Sequence, residues 1–209
     1  MTINVSIITA NVGGYDGPPE PMACEVIIPP REDEHSRLTA KRVKMLQTAL
    51  PTEAPYVLWL DGNIRIRDSR FPVLAAEVTG DAPMGVFRHP RRDDVLDEAK
   101  FSHIEAPEKY RSLPLIEQVS HYRTLGLPYP SGLYCGGVVC WNMLHPTTRR
   151  LADAWWQECV LWTYQDQLSL PFVLWAHALK PAVFPIDILE PELWVGNRWI
   201  ELLAHKRSD

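Results

Sequence analysis

The segment "YVLWLDGNIRI", from Tyr56 to Ile66, carries an apolar run directly into Asp61, Gly62 and Asn63. A carboxylate and an amide oxygen at this spacing could bind a hard divalent cation or a sugar hydroxyl. Gly62 between them would allow a ligand to approach the backbone closely. Because Asp-Gly is also a common turn sequence, an ordinary turn remains the alternative interpretation.

A second candidate group is basic and lies in "SRLTAKRVKML", where Lys41, Arg42 and Lys44 fall within a predicted helix. This helix follows a glycine-rich loop near the start of the chain. A cationic side chain there could therefore contact a diphosphate held near the ends of strands. The alternative is a helix face that is solvated and has no ligand.

A third group occurs in "TYQDQLSLPFVLW", where Gln165, Asp166 and Gln167 precede a strongly apolar segment. This pattern predicts a helix N-terminus, and Asp166 could simply be its N-cap. If these side chains instead face a cleft, a carboxylate and two amides could hold sugar hydroxyls or act in acid–base chemistry.

A fourth group begins with Arg88 and His89 in "RHPRRDDVLDEAKF", which follows another predicted strand. It offers guanidinium and imidazole groups, and Glu98 adds a carboxylate nearby in sequence. No GxSxG, HExxH, P-loop or GxGxxG motif competes with these four groups. The four cysteines form no CxxC pair, which argues against a zinc site or a disulfide framework.

Elements that could position these residues alternate along the chain, which predicts an α/β fold with a mostly parallel central sheet. Ligands of such sheets collect at the carboxyl ends of the strands, and Asp61 lies at one of those ends. The predicted strands are Asn4–Ala10, Val26–Ile28, Tyr56–Leu60, Met84–Phe87, Ser131–Asn142 and Ala182–Phe184. The predicted helices are Ser36–Leu50 with Ser36 as N-cap, Phe71–Val78, Asp93–Glu108, Leu115–Leu125, Thr147–Trp162 and Asp166–Ala178.

Glycines interrupt two of these regions. Gly13 and Gly14 follow the first predicted strand and permit a tight turn, whereas Gly136 and Gly137 lie inside "SGLYCGGVVCWN". The second pair predicts a bulge or a close approach of the backbone to another group.

Composition limits the possible functions. A chain of 209 residues with 46% hydrophobic residues can bury one substantial core, which predicts a single domain over residues 1–209. A net charge of -5 argues against a nucleic-acid partner, because such proteins usually present a broad basic surface. The sequence has no signal-peptide pattern and no apolar run long enough for a transmembrane segment, so a cytoplasmic location is expected.

The order of these segments resembles a bacterial and plant family that is described as glycosyltransferase-like and is associated with plant mucilage-related proteins. The resemblance extends from Ile7 to Ile186. It is carried by "TANVGGYD", "YVLWLDGNIRI", "RHPRRDDVLDEAKF", "SGLYCGGVVCWN" and "WWQECVLWTYQDQLSLPFVLW".

This resemblance implies a nucleotide-sugar-binding α/β fold of the GT-A type, with a D-x-D element at the end of a central strand. Asp61 and Asn63 take its two ends and are the expected ligands of Mn2+ or Mg2+, with Asn63 replacing an acidic residue. Gln165 replaces the arginine of the family's R-D-Q-L-S segment. The resemblance implies Asp166 and Gln167 as catalytic residues. The expected donor-binding residues are Gly13, Gly14, Lys41, Arg42, Lys44, Asp61, Asn63, Arg88, His89, Gly136 and Gly137.

The activity implied by the resemblance is transfer of a hexose from a nucleotide-diphosphate sugar to a polysaccharide or glycoconjugate acceptor. The charge-losing replacements at Asn63 and Gln165 motivate an alternative, a module that binds a nucleotide sugar or glycan without turnover. A third alternative is a lipid-amide hydrolase, because some members of the wider family are described in that way.

Overall fold

The protein is described by a computed structural model that covers residues 3–12, 16–26, 35–189 and 196–205. Its described strands are β1 Val5–Thr9, β2 Cys24–Glu25, β3 Tyr56–Leu60, β4 Ile64–Ile66, β5 Met84–Arg88, β6 Tyr134–Asn142, β7 Ala182–Val183 and β8 Ile200–Leu202. Its described helices are α1 Ser36–Lys44, α2 Phe71–Thr79, α3 Val95–Glu105, α4 Pro107–Tyr110, α5 Leu115–Thr124, α6 Thr148–Leu161 and α7 Asp166–Ala176. No described helix is long and apolar enough to cross a membrane.

Six strands form the central sheet in the order β2-β1-β3-β6-β5-β7. The β2–β1, β1–β3 and β5–β7 pairs are parallel, and β6 pairs antiparallel with both β3 and β5. Five strands therefore run in one direction and β6 runs against them. The predicted α/β class with a mostly parallel, helix-flanked sheet is confirmed.

Apolar side chains cover both faces of this sheet. Along β3, Val57 and Trp59 join a buried cluster that includes residues of α6 and α7, whereas Leu58 and Leu60 join a second cluster that includes residues of α2. Side chains alternate between the faces of a strand, so a strand buried on both faces reads as a continuous apolar run. A third cluster unites α3, α5 and the start of α7. The carboxyl end of β3 is thereby fixed between two packed layers.

The first predicted helix is shorter than expected. It ends at Lys44 instead of Leu50, and Leu46 adopts a positive φ of 58°, which an α-helix does not allow. His35, not Ser36, is the N-cap, because its side chain accepts a hydrogen bond from the Arg37 amide. The second strand, predicted over Val26–Ile28, lies earlier, at β2 Cys24–Glu25; Val26 follows it, and residues 27–28 lie outside the described residues.

The predicted helix over Asp93–Glu108 is divided into α3 and α4. The break falls at Ala106, whose φ of −134° and ψ of 56° lie outside the helical region. Pro107 explains the break, since a proline disfavours helical geometry in the residue before it. This interruption directs α4 and its Lys109 away from the axis of α3.

A small second sheet was not predicted. Strands β4 and β8 pair antiparallel, with Ile64 opposite Leu202 and Ile66 opposite Ile200. Both strands are three residues long, and such short segments carry little periodic signal. The pairing brings the end of the described chain next to the turn at Asp61.

Candidate active site

A cleft of about 210 Å³ lies at the carboxyl ends of β1 and β3, where one face of α1 and the N-terminal end of α7 also meet. Several of its lining residues belong to three of the four polar groups singled out in the sequence. The sequence-predicted residues that line it are Lys41, Lys44, Asp61, Asn63, Gly136, Gly137, Asp166 and Gln167. Gly13 and Gly14 lie outside the described residues.

The Asp61 segment is both a turn and part of the cleft. The Ile64 amide donates to the Asp61 carbonyl at 2.9 Å, which closes a turn between β3 and β4. The Asp61 carboxylate nevertheless lines the cleft and is 41% exposed. A Cβ on Gly62 would lie 2.5 Å from a carboxylate oxygen of Asp16, so a larger residue here would require the Asp16 side chain to move.

Four side chains of opposite charge meet at the base of the cleft, and they are called here the cleft cluster: Lys41, Lys44, Asp61 and Asp166. The Lys44 ammonium lies 2.9 Å from Asp166 Oδ2 and 3.0 Å from Asp61 Oδ1. The Lys41 ammonium lies 2.6 Å from the same Asp166 oxygen. One lysine therefore bridges both carboxylates, and the second lysine contacts Asp166 alone.

This cluster keeps its charges despite burial. Burial alone would lower the pKa of Lys44, but the charges of Asp166 and Asp61 and hydrogen bonds to them raise it above the usual lysine value. Burial alone would raise the pKa of Asp166, but the charges of Lys41 and Lys44 outweigh it and hold that pKa well below its usual range. Asp166 is therefore an ionised hydrogen-bond acceptor and a poor general base.

Three buried indole groups hold this cluster in place. Trp59 Nε1 donates to Asp61 Oδ1 at 2.7 Å. Trp141 Nε1 donates to the Lys44 carbonyl at 2.8 Å, and Trp155 Nε1 donates to the Asp166 carbonyl at 3.0 Å. Each tryptophan packs in the core while its polar nitrogen fixes a residue of the cleft cluster.

The predicted bulge in β6 is confirmed. Strand β5 pairs Val86 with Val139 and then Phe87 with Cys135, so the residues between them on β6 leave the β5 ladder. This places Gly136 below Asp166, where an added Cβ would lie 3.3 Å from a carboxylate oxygen. A Cβ on Gly137 would lie 3.0 Å from the Ile64 side chain. The bulge lets the backbone approach the space beside the two carboxylates.

The suggestion that Asp166 caps α7 is not supported. Gln165 occupies the N-cap position without a side-chain cap, and Asp166 is the first helical residue. Gln167 Nε2 donates to the Tyr134 carbonyl at 3.2 Å, which ties α7 to β6. Asp166 Oδ1 accepts no hydrogen bond from the described residues, so this oxygen is available to a ligand.

Three predicted donor-binding residues are not among the described residues that line the cleft: Arg42, Arg88 and His89. Arg88 pairs with Asp93 at 3.3 Å on the surface. The His89 ring accepts from the Arg92 amide, and burial with the charge of Arg92 lowers its pKa to about 4. These two side chains stabilise the segment between β5 and α3 instead.

Gln165 belongs to a separate set of buried polar groups, called here the Glu98 network: Arg92, Glu98, Ser102 and Gln165. Arg92 Nε donates to Glu98 Oε2 at 2.6 Å, and Gln165 Nε2 donates to Glu98 Oε1 at 3.1 Å. Tyr110 donates its hydroxyl to Gln165 Oε1 at 3.2 Å. This network supports α4 and the start of α7, and its Gln165, together with Tyr110, also lines the cleft.

Other residues that line the cleft were not singled out in the sequence, among them Asp16, Arg37, Lys109 and His205. Arg37 could have been found, because Arg37, Lys41 and Lys44 recur at the i, i+4, i+7 spacing of one helix face. Lys109 and His205 reach the cleft only through tertiary structure, so no local pattern indicated them.

Comparison with known proteins gives one family match. A family model described as "TOD1/MUCI70, glycosyltransferase-like domain" matches residues 26–195. No curated protein matches the chain. The mixed sheet flanked by helices has the arrangement predicted for a GT-A-like domain.

Two solved structures are similar at low identity. Mouse xyloside xylosyltransferase 1 is 17% identical with a TM-score of 0.38, and the match covers 71% of this chain and 50% of that one. The galactosyltransferase LgtC, solved with donor and acceptor sugar analogues, is 15% identical with a TM-score of 0.34, and the match covers 72% of this chain and 47% of that one. The chain spans about half the length of each.

Proposed function

Because the chain belongs to the TOD1/MUCI70 glycosyltransferase-like family, we propose that it transfers a hexose from a nucleotide-diphosphate sugar to a polysaccharide or glycoconjugate acceptor. The observation that carries this proposal is the cleft cluster at the end of β3, next to the glycine bulge of β6. Carboxylates, ammonium groups and an accessible backbone meet there in one cleft.

The chemistry of transfer fits this arrangement. The bond from the anomeric carbon to the diphosphate breaks, a bond to an acceptor hydroxyl oxygen forms, and that hydroxyl releases its proton to solvent. Negative charge grows on the departing diphosphate. Fixed cations beside the diphosphate stabilise that charge more strongly than water does, because they need no reorganisation. Lys41 supplies one such cation from α1 at the edge of the cleft.

Asp166 and the glycine bulge are suited to the donor sugar. Gly136 and Gly137 line the cleft, and the backbone at Gly136 lies so close to Asp166 that an added Cβ would be 3.3 Å from its carboxylate. A sugar hydroxyl in that space would donate to Asp166 Oδ1. Since its pKa is held low, Asp166 acts as a positioning acceptor and not as the base that removes the proton of the acceptor.

The turn after β3 offers only two side-chain ligands to a divalent cation, one oxygen of Asp61 and one of Asn63. Asn63 donates its amide nitrogen to the Leu203 carbonyl at 3.1 Å, which leaves Oδ1 as a ligand, and Asp61 offers its second oxygen. Among the described residues no group of three acidic, cysteine or histidine side chains could hold a metal. Mg2+ commonly takes one or two protein oxygens and completes its shell with phosphates and water.

Mn2+ or Mg2+ at Asp61 and Asn63 is therefore part of the proposal. When bound, the ion would supply positive charge to the departing diphosphate. Lys44 neutralises part of the Asp61 charge, so this protein contributes less negative charge to the ion than two free carboxylates would.

The proposal is tested with a panel of UDP- and GDP-sugars in the presence of Mn2+. We expect release of nucleotide diphosphate with at least one sugar, and loss of this activity in Asp61→Ala. Asp97→Ala is the matched control, because Asp97 is an exposed aspartate on α3.

The failure of every donor to bind, or an unchanged Asp61→Ala variant, would refute the proposal. Saturable binding without hydrolysis or transfer to any acceptor would favour the alternative of a non-catalytic binding module. Asn63 and Gln165 stand where the family has charged residues, and this loss of charge is the reason to measure binding and turnover separately.

A further inference from the structure

Lys109 lies on α4 and lines the cleft, although nothing in its sequence context indicates a site. It is half-buried, and its ammonium group lies 5.0 Å from the centre of the Tyr110 ring. No carboxylate of the described residues lies within ion-pair distance of it. A cation in this position differs from Lys44, which contacts two carboxylates.

The backbone around Lys109 is held firmly. The Tyr164 hydroxyl donates to the Lys109 carbonyl at 2.6 Å. The next residue, Tyr110, is buried and donates to Gln165 Oε1, which joins α4 to the Glu98 network. The lysine side chain therefore extends from a backbone that is held in place and enters the cleft from α4.

Three cations line the same space. Arg37 and Lys41 enter from α1, and Lys109 enters from α4. Together with Lys44, they make four lysine or arginine side chains in the described lining against three aspartates, so positive charge is in slight excess. Like charges in a partly dry cleft repel one another, and an anion bound between them removes that repulsion.

We propose that Lys109, with Arg37 and Lys41, forms an anion grip that binds the diphosphate of the donor and holds it after the sugar has left. This inference rests on the proposed function for the identity of its ligand, a nucleoside diphosphate. The grip itself requires only two linked phosphates. Diphosphate oxygens accept several hydrogen bonds at once, which suits cations that enter a cleft from two helices.

The protonation of Lys109 gives an independent readout. Burial, together with the charges of Arg37 and Lys41, lowers its pKa to about 8, and Asp61 and Asp166 raise it only in part. An anion beside the ammonium would restore the ordinary pKa. Above pH 8, Lys109 would then take up a proton when the anion binds. We therefore expect the dissociation constants of pyrophosphate and UDP to increase by about 8-fold from pH 7.5 to pH 9.

Other groups around the cleft do not share this dependence. Asp166 remains ionised over this pH range because its pKa is depressed. The pKa of Tyr110 is raised by burial, so its hydroxyl stays protonated. The titration of the ligand itself is the same for every variant and cancels in the comparison between them.

The test is calorimetric titration of inorganic pyrophosphate, inorganic phosphate and UDP into the full chain, with and without Mn2+. The variants are Lys109→Met, Lys109→Arg and the control Lys100→Met, which removes an exposed lysine on α3. We expect Lys109→Met to weaken pyrophosphate and UDP binding by about 10-fold or more, the usual effect of losing a hydrogen bond to a charged group. Lys109→Arg should retain binding and lose the pH dependence, because arginine does not deprotonate in this range.

Unfolding midpoints separate a ligand-binding role from a structural one. Because the folded protein disfavours the Lys109 charge, Lys109→Met should unfold at the same temperature as the wild type or higher. A structural lysine would instead lower the midpoint when it is removed.

The outcomes distinguish this inference from the proposed function. UDP binding that is unchanged in Lys109→Met would overturn the anion grip and leave the proposed function standing. Pyrophosphate binding that depends on Lys109, without binding of any nucleotide sugar, would support the grip and refute the function. A wild type that binds neither pyrophosphate nor UDP would refute both.

Discussion

The cleft cluster and the Glu98 network are both buried and polar, but they differ in which atoms remain available. In the Glu98 network, Arg92 donates to one oxygen of Glu98, and Ser102 and Gln165 donate to the other. In the cleft cluster, both lysines contact the same oxygen of Asp166, and the Asp61 carboxylate is 41% exposed. The first arrangement is closed, and the second retains acceptors and charge for a ligand.

The comparison shows that density of charge in the sequence does not indicate a binding site. The segment "RHPRRDDVLDEAKF" is the most charged of the four candidate groups, yet Arg88 and His89 do not line the cleft. The two regions are connected, because Gln165 precedes Asp166 and Tyr110 follows Lys109. The Glu98 network therefore supports residues whose charges lie in the cleft.

The largest effect on stability is expected for Lys44→Met. This change leaves Asp166 with Lys41 alone and leaves the partly exposed Asp61 without a cation, so it removes two charged hydrogen bonds but buries no unpaired charge, and the expected loss is about 1.5–3 kcal/mol. Chemical denaturation measures the loss, with Lys100→Met as the control at an exposed position. A loss below about 1 kcal/mol would mean that Lys41 alone compensates both carboxylates.

The next largest effect is expected for Asp61→Asn, which should lower the transferase activity. The substitution keeps the size of the side chain but removes a negative charge from the cleft cluster. Loss of one preorganised electrostatic group lowers turnover by about 10²–10³-fold. The value of kcat/KM for an accepted nucleotide sugar measures this. Full activity in a folded Asp61→Asn protein would exclude this end of β3 from the reaction.

Lowering the pH should weaken the cleft cluster but not the Glu98 network. The pKa of Asp166 is below its ordinary value in the folded state, so its stabilisation is present above pH 4 and is lost as the pH falls further. The loss is on the order of 2 kcal/mol for one such aspartate. Burial raises the pKa of Glu98, although Arg92 opposes this, so mild acid should not weaken that network.

Unfolding free energies of the wild type, Asp166→Asn and Glu98→Gln between pH 3 and pH 7 test this difference. The gap between wild type and Asp166→Asn should narrow as the pH falls. A gap that does not change with pH would show that the Asp166 charge adds nothing to stability.

The smallest effect is expected for Glu98→Gln. Burial already disfavours the charged form of Glu98, which limits the cost of a neutral side chain. The amide nitrogen of glutamine would nevertheless face one of the donors whose hydrogen bonds Glu98 accepts, so the expected cost is about 1 kcal/mol. Nucleotide affinity should be unchanged, because Glu98 does not line the cleft. Denaturation and UDP titration of one preparation measure both, and a large loss of affinity would show that the two networks are not separable.

Much of the fold followed from the sequence. The continuous apolar run of β3 predicted a strand covered on both faces, and the glycine pair of β6 predicted a bulge that the structure confirms. The wrong boundaries have local causes. Leu46 has a positive φ that ends α1 early, and Pro107 separates α4 from α3.

The candidate site was predictable where strand ends and helix faces set the positions. Asp61 and Asp166 were identified from such positions, and the cleft contains both. Arg37 has the same helix-face signal as Lys41 but was not singled out. Lys109 depends on the break before α4 and on contacts with residues more than 50 positions away, and no pattern along the chain encodes those contacts.

The central claim is that the cleft holds the diphosphate of a nucleotide sugar between β3 and α1. A crystal structure with UDP and Mn2+ tests it most directly. The account predicts diphosphate oxygens within hydrogen-bond distance of Lys109 or Lys41, with Asp61 on the other side of the diphosphate. UDP bound outside the cleft, or no UDP in crystals grown at saturating concentration, would contradict it.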